Sequence, residues 1–521
     1  MIMGSPAMMA LAVAAPFVAV LFILFAPRRL TEVWGFIAAG IAALACASLL
    51  PAVLGGAVPE QHLLTLMPGM ELVFRADALG LTFALLASGL WIITGVYSGG
   101  YARADNLKHR PRYFAAFAAS VGAALGVAFA GNLLTFFIFY ETLTLSTYPL
   151  VVHKESEKAY AAGRRYLLFA LGSGLAMLTA IAWTWQITGS LDFTPGGFLA
   201  GQVAGPQLAV LFTLFILGVS VKAAVMPLHS WLPAAMVAPT PVSALLHAVA
   251  VVKAGVFGVM RVIGFVFGPA ALADFGGDEI LAGLAAATIV IGSLIALRQD
   301  NLKRRLAYST VVHLSYIVLG AALLTPYGLV GSTMHMVNHG LAKITLFFCA
   351  GAIYVTTHRE NISQLTGLGR QMPWTFGAFT VGSLALVGIP GLSGFVGKFF
   401  LARGAIQGDD VIALAIMLGA SLLTASYLLP IVRIAFFPGL TPEGEAYPTH
   451  RAEAPRSMLV PLLVTSVLVV IFGVLPYAIG TQYELADLVA ERVFSAARFV
   501  GDGAAPLVVE GAAGLGGGGM P

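Results

Sequence analysis

The sequence predicts an all-α polytopic membrane protein with about fourteen transmembrane helices. Three observations predict it. Of the 521 residues, 59% are hydrophobic and only 10% charged, where a soluble domain approaches a quarter charged. Apolar runs of about twenty residues, the length a bilayer requires, recur from end to end. Cations gather in alternate connections between those runs.

The runs lie at about 5–26, 32–54, 77–98, 112–130, 132–151, 163–187, 207–226, 241–264, 279–298, 304–323, 327–356, 375–402, 409–437 and 457–480. The first is too long for the apolar region of a signal peptide and follows no basic stretch, so it reads as a span. The eleventh to thirteenth are long enough to be tilted or broken. Residues 481–500 set Leu485, Leu488, Val489, Val493 and Val500 against Glu484, Asp487, Glu491 and Arg492. Two readings stand there, a short amphipathic helix and a loosely ordered tail. The Gly-rich stretch 501–521 reads as disordered.

Loop charge sets the orientation. After odd-numbered spans come Arg28 and Arg29; Arg103, Lys108, Arg110 and Arg112; Lys154, Lys158, Arg164 and Arg165; Arg298, Lys303, Arg304 and Arg305; Arg359 and Arg370; and Arg433, Arg451 and Arg456. The connections after even-numbered spans hold almost none: Arg75, Arg403, and Arg261 at a helix end. The positive-inside rule then places the odd-numbered loops in the cytoplasm and both termini on the outer side.

Spans four to eight and nine to thirteen form two sets of five. In each, the fourth is interrupted, by AAVMPLHSW at 223–231 and by VGIPGLSGF at 387–395. Five is odd, so the second set is inverted relative to the first, the arrangement of secondary transporters with discontinuous helices. The expected organisation is therefore 1–111, three leading helices; 112–264, a first five-helix repeat; 265–437, a second, inverted repeat; 438–500, the last span and its tail; and 501–521. Helices seven and twelve are expected to be broken.

Cofactor chemistry finds no support. Cys46 and Cys349 lie within apolar runs and suit buried packing better than a disulfide or a metal site. There is no P-loop or CxxC and no GxGxxG outside the low-complexity Gly-rich stretch 501–521, so no cofactor is expected. The formal charge of +4 sits in short loops and is no nucleic-acid signal.

The chemistry lies inside the apolar runs. Gly218–Gly255 carries Lys222, Lys253, His229, His247 and four prolines, Pro227 among them. An ammonium at the bilayer centre costs roughly 2.5–3.5 kcal/mol on insertion scales. Lys343 and Lys398 complete four intramembrane lysines. One acidic residue is deep in a span: Glu141, in FFIFYETLTL. Its charge requires a partner, and Lys222 is the candidate. His335, His339 and Lys343 follow at i, i+4 and i+8, one helical face with steps of about 6 Å. His247 and Lys253 lie within two turns of each other, and His313 is in the tenth span. A desolvated amine moves toward neutrality in its proton affinity, histidine is already there, and a nearby carboxylate pulls the amine back. Such a set makes a proton relay, with the Glu141–Lys222 distance as its switch. Bland readings stand beside it: Lys398 can snorkel to the interface, His229 can bond carbonyls freed by Pro227, and His247 and His313 can be satisfied core histidines.

At these residues the sequence resembles the antiporter-like subunits. That family covers the large proton-pumping subunits of respiratory complex I, the D and A subunits of Mrp-type multisubunit cation/proton antiporters, and subunits of membrane-bound hydrogenases. The resemblance lies in PLHSWLPAAMVAPTPVSALLHAVAVVKAG (227–255), NLLTFFIFYETLTLSTYPLV (132–151), MHMVNHGLAKITLFFCAGAIY (334–354) and GIPGLSGFVGKFF (388–400), and extends over about 75–450. It implies fourteen helices with two inverted five-helix repeats, helices seven and twelve broken, the latter at Pro390 and Gly391. It also implies a gating pair Glu141–Lys222, a central Lys253, a second half-channel of His335, His339 and Lys343, and an exit group, Lys398. His229, His247 and His313 would be accessory. Met236 departs from the pattern, since many members carry a histidine there.

The expected function is proton translocation within an Mrp-type Na⁺ or K⁺/proton antiporter in the inner membrane of a bacterium, beside other membrane subunits. The alternative is a proton-pumping subunit of a complex I-like redox assembly, without a redox centre of its own. A membrane scaffold with idle charges is the third reading. Lys398, where one complex I subunit usually carries glutamate, and the short C-terminal region favour the D-type subunit.

Overall fold

The computed structural model describes residues 5–25, 27, 30–67, 70–203, 205–437, 450–477 and 481–498. Each predicted run coincides with a helix or with two helices in series. α1 (Ala7–Phe25) and α2 (Thr31–Leu54) pair at the rim, with much of their surface left for lipid. Then come α3 (Ala78–Ala104), α4 (Arg110–Ala128), α5 (Leu133–Val151), α6 (Glu157–Thr188) and α7 (Gly205–Ala223). Asp77, Asn132 and Ser156 start three of these by accepting the backbone N–H of Gly80, Thr135 and Ala159, which satisfies donors a helix start leaves free.

The eighth run is two helices, α8 (Thr240–Ala248) and α9 (Val251–Arg261), the latter continuing through a π-helical turn, Val262–Phe267. α10 (Pro269–Phe275) is short. It leads to α11 (Gly277–Leu297), α12 (Leu302–Ala322), α13 (Pro326–Thr357), α14 (Pro373–Val387), α15 (Ser393–Gln407), α16 (Val411–Phe436), α17 (Arg456–Val474) and α18 (Thr481–Arg498). Among the described residues, ten helices are long and apolar enough to cross a bilayer, counting Thr240–Phe267 as one. α13 is the hub: it packs against α3, α8, α12, α14, α15, α17 and α18.

Both expected breaks are present. After α7 the chain turns through Ala224, at φ +56°, and Pro227 before a short helix, Trp231–Ala234. Between α14 and α15 it turns through Gly388 at φ +96° and Gly391 at φ +83°, a region that glycine enters without penalty. A third break, at Val249–Ala250 between α8 and α9, was not expected. No proline or glycine stands there, so the cause is tertiary. α13 passes so close that a Cβ on Gly340 would lie 3.1 Å from the carbonyl oxygen of Ala248.

Residues 55–76 hold a hairpin where hydropathy alone suggests a plain connection. β1 (Glu60–Met67) pairs antiparallel with β2 (Met70–Arg75). It is docked on the α4–α5 turn: Val73 N–H donates to Thr135 Oγ1 (3.0 Å), Asn132 Nδ2 to Glu71 O (2.7 Å), and Gly131 N–H to Val73 O (2.9 Å). Apolar alternation in EQHLLTLM is weak, which hid the strand.

Of the two readings for 481–500, the helix holds: α18 runs Thr481–Arg498 with Leu485, Val489 and Val493 buried. Val500, Arg28, Arg29 and the stretch 501–521 lie outside the described residues. Lys303, read as a loop cation, is buried, and its amine donates to Ala238 O at 3.1 Å.

Arg261 is likewise more than a helix end. It is buried and pairs with Asp77 through both terminal guanidinium nitrogens, Nη2 to Oδ1 at 2.8 Å, while its guanidinium carbon lies 4.6–5.1 Å from the rings of Phe193, Phe257 and Phe265. The pair ties α3 to α9. Removing one member of a buried pair strands a charge and costs about 3–5 kcal/mol. Asp77→Ala is therefore expected to lower the unfolding midpoint in detergent, and adding Arg261→Met should recover most of the loss. A double variant as unstable as the single would mean that the pair is not the anchor.

Candidate functional site

Lys222, Lys253, Lys343, His247, His313, His335 and His339 are all fully buried. The sequence placed His335, His339 and Lys343 in a row on one helix. The structure assembles the row from four. Lys253, on α9 just past the third break, brings Nζ to 2.6 Å from His339 Nδ1. His313 on α12 stands between the two α13 imidazoles: its ring centroid is 5.4 Å from that of His339 and 5.4 Å from that of His335, and its Nδ1 lies 3.2 Å from His335 Nε2. The His335 ring is then 5.9 Å from Tyr316, over which Lys398 Nζ sits at 4.9 Å. Lys253, His339, His313, His335, Tyr316 and Lys398 thus form a continuous series, fully buried up to the half-buried Lys398 at its end. His313 becomes a member in full, the stacked bridge between the two α13 imidazoles.

Lys343 leaves the line: its amine donates to Leu306 O on α12 at 3.0 Å. His247 is set against the Phe347 ring at 4.7 Å, and both its ring nitrogens are buried without a hydrogen-bond partner among the described residues.

Lys398 does not reach for the interface. Its Nζ donates to Leu386 O (2.8 Å), Val387 O (3.1 Å) and Ser421 Oγ (2.9 Å). These carbonyls belong to the end of α14, where a helix leaves acceptors free and carries partial negative charge. Gly388 makes the approach possible, since a Cβ there would meet Lys398 Cδ at 3.0 Å. Pro390 and Gly391 lie in the turn itself.

Glu141 and Lys222 form no ion pair within 4 Å. The Lys222 amine donates to Tyr140 O and lies 3.3 Å from the centre of the Tyr140 ring, one residue before the glutamate. Both carboxylate oxygens of Glu141 are buried and lack a hydrogen-bond partner among the described residues. Gly174 on α6 leaves them room, since a Cβ there would stand 2.8 Å from Oε1. His229 lies on the first break, its ring 6.0 Å from that of Tyr308. Met236 is buried beside the same break.

Sequence reasoning missed Tyr140, Tyr316 and Ser421. Tyr316 was within reach, three residues beyond His313 and so on the same helical face. Ser421 is supplied by α16 and has no local signal. His62 in the hairpin, 2.6 Å from Glu71, lies apart from this site, and the Glu71 and Glu60 carboxylates raise its pKa.

The geometry offers proton-exchanging groups and no metal cluster: among the described residues no three His, Cys, Asp or Glu converge as ligands. Residues 130–424 match the family described as NADH:quinone oxidoreductase/Mrp antiporter, TM. The chain is 32% identical over 418 residues to NADH-quinone oxidoreductase subunit N of Desulforudis audaxviator, covering 78% of this chain and 82% of that one. It is 33% identical over 455 residues to the A/B component of a probable K(+)/H(+) antiporter of Rhizobium meliloti, covering 84% of this chain and 44% of that longer protein. In fold it resembles a chain of the Mrp complex from Dietzia sp. DQ12-45-1b, with a TM-score of 0.80 at 24% identity over 95% of this chain and 99% of that one. It also resembles a chain of respiratory complex I from Thermus thermophilus, with a TM-score of 0.79 at 23% identity over 93% and 99%. The chain is a multi-pass membrane protein that belongs to the NADH:quinone oxidoreductase/Mrp antiporter transmembrane family.

Proposed function

We propose that the chain is the proton-translocating subunit of an Mrp-type Na⁺ or K⁺/proton antiporter, in a bacterial inner membrane with both termini on the outer side. The observation that carries the reading is the buried series from Lys253 through His339, His313 and His335 to Lys398. Amines and imidazoles in contact hand a proton along when each holds it only weakly, and imidazole passes it through two nitrogens. Water reaching the unpartnered nitrogens of His247 and the carboxylate of Glu141 would extend the series toward Lys222. Lys222, held by a carbonyl and a ring face, is free of Glu141 in this state; a turn of the glutamate side chain toward it would fix its proton. The residues 112–264 and 265–437 act in this reading as two inverted half-channels, broken at Pro227 and at Pro390–Gly391, with Lys343 as a branch of the second.

The second reading, a proton-pumping subunit of a complex I-like redox assembly, draws on the subunit N relative. The two part by neighbours. Recovery with cation-antiporter subunits in mild detergent, and flux that depends on Na⁺ or K⁺, support the first; recovery with iron–sulfur or hydrogenase subunits supports the second. The D-type assignment rests on Lys398. Protons, with Na⁺ or K⁺, are the expected cargo, and the lipid bilayer and other membrane subunits the expected partners; nucleic acid is not.

Two outcomes are expected in vesicles. Glu141→Ala and Lys222→Ala should each abolish proton movement while the protein still inserts, and full flux in either would remove the switch. His313→Ala should slow flux by about a hundredfold, the scale of a lost acid–base group. Unchanged flux there, and on replacement of all four lysines, would leave the scaffold reading standing.

A further inference from the structure

Below the α7 break, on the side where the odd-numbered loops gather, lies a cavity of about 420 Å³. Lys154, Lys158, Lys303 and Arg304 line it, against one carboxylate, Glu360. None of the four cations is in an ion pair among the described residues. Lys303 is more than nine-tenths buried, and its amine spends one N–H on Ala238 O, leaving two. Lys154 is 5.8 Å from the Tyr354 ring. The cavity also receives the first residues of two long helices. Ser156 caps α6 and Asn301 caps α12, and both line the wall. Two positive helix ends and four cations therefore meet in one concavity.

We propose that this cavity binds a phosphate group, carried either by an anionic phospholipid or by free phosphate. A buried lysine that forms no ion pair, and shares its cavity with two more lysines and an arginine against the single carboxylate of Glu360, calls for a further anion. Three unopposed positive charges, spread around a space larger than a carboxylate needs, match a group with several acceptor oxygens and more than one charge. Lys303 is the inner contact, and Lys158 and Arg304, both exposed, are the outer ones. Met236 and Pro233 form the roof, so an occupant would lie directly under the helix break. This site is separate from the transport reading, and its test reads binding alone.

The full chain, extracted with its native neighbours in mild detergent, is examined by native mass spectrometry for retained phosphatidylglycerol. It is also titrated with phosphatidylglycerol-containing vesicles and with inorganic phosphate. The comparison is Lys158→Gln with Arg304→Gln, two surface changes that leave the core intact. Loss of retained lipid in the variant, and binding weakened about five-fold for each cation removed, with no response to inorganic phosphate, identifies a headgroup. Binding of inorganic phosphate in lipid-free micelles, weakened to the same extent in the variant, identifies the free ion. Equal binding by the two proteins in both titrations, or a cavity closed by acidic side chains of a neighbouring subunit, overturns the proposal. Flux measurements are unaffected by any of these results, so this failure and failure of the transport reading are distinguishable.

Discussion

Everything in this fold follows from the scarcity of partners for an ammonium ion in hydrocarbon. The chain places four lysines in its apolar runs and only one deep carboxylate. Charge pairing cannot satisfy them, so the backbone does. Lys222 rests on Tyr140 O, Lys343 on Leu306 O, Lys398 on Leu386 O and Val387 O, and Lys253 on an imidazole. Regular helix leaves few such acceptors, because its carbonyls already serve its own amides. The carbonyls under Lys398 come free where a helix is interrupted. A neutral acceptor also leaves the amine able to lose its proton, where a buried ion pair would lock it.

The breaks and the hub helix belong together. α13 contributes two imidazoles and Lys343, α9 Lys253, α12 His313, and α15 Lys398, and the α13 groups reach the others because the surrounding elements pack directly on that helix. Glycines set these approaches. Gly397 faces His335, whose Nδ1 would lie 3.0 Å from an added Cβ, and Gly255 meets the backbone of Lys222 and Ala223. The α18 helix closes the assembly by donating Gln482 Nε2 to Met334 O and Asn338 Oδ1, both at 3.1 Å. A helix that looked optional in sequence is thus bonded to the element that carries the imidazoles.

The helices were legible because hydropathy needs no partner: a run of apolar residues in lipid has one regular solution. Pro227 and Pro390 with its flanking glycines marked two breaks for the same local reason. The Val249–Ala250 break was not legible, because α13 imposes it from outside. The site divides likewise. The i, i+4, i+8 spacing named His335, His339 and Lys343, yet spacing along one helix cannot say that Lys343 turns away and that His313 enters from α12. Lys222 and Glu141 were paired by charge alone, whereas the structure sets the amine on the neighbouring Tyr140. The hairpin went unread because its first strand alternates only weakly, and the Asp77–Arg261 pair because it joins segments distant in sequence.

The hairpin has a consequence for movement. Its three hydrogen bonds fasten the N-terminal end of α5, about two helical turns from Glu141. An axle held at one end does not slide. In the proposed switch, the carboxylate would then approach an amine by rotation about side-chain bonds, within the pocket that Gly174 leaves open, so that an electric field would be toggled by the smallest of the moving parts while the scaffold stays still.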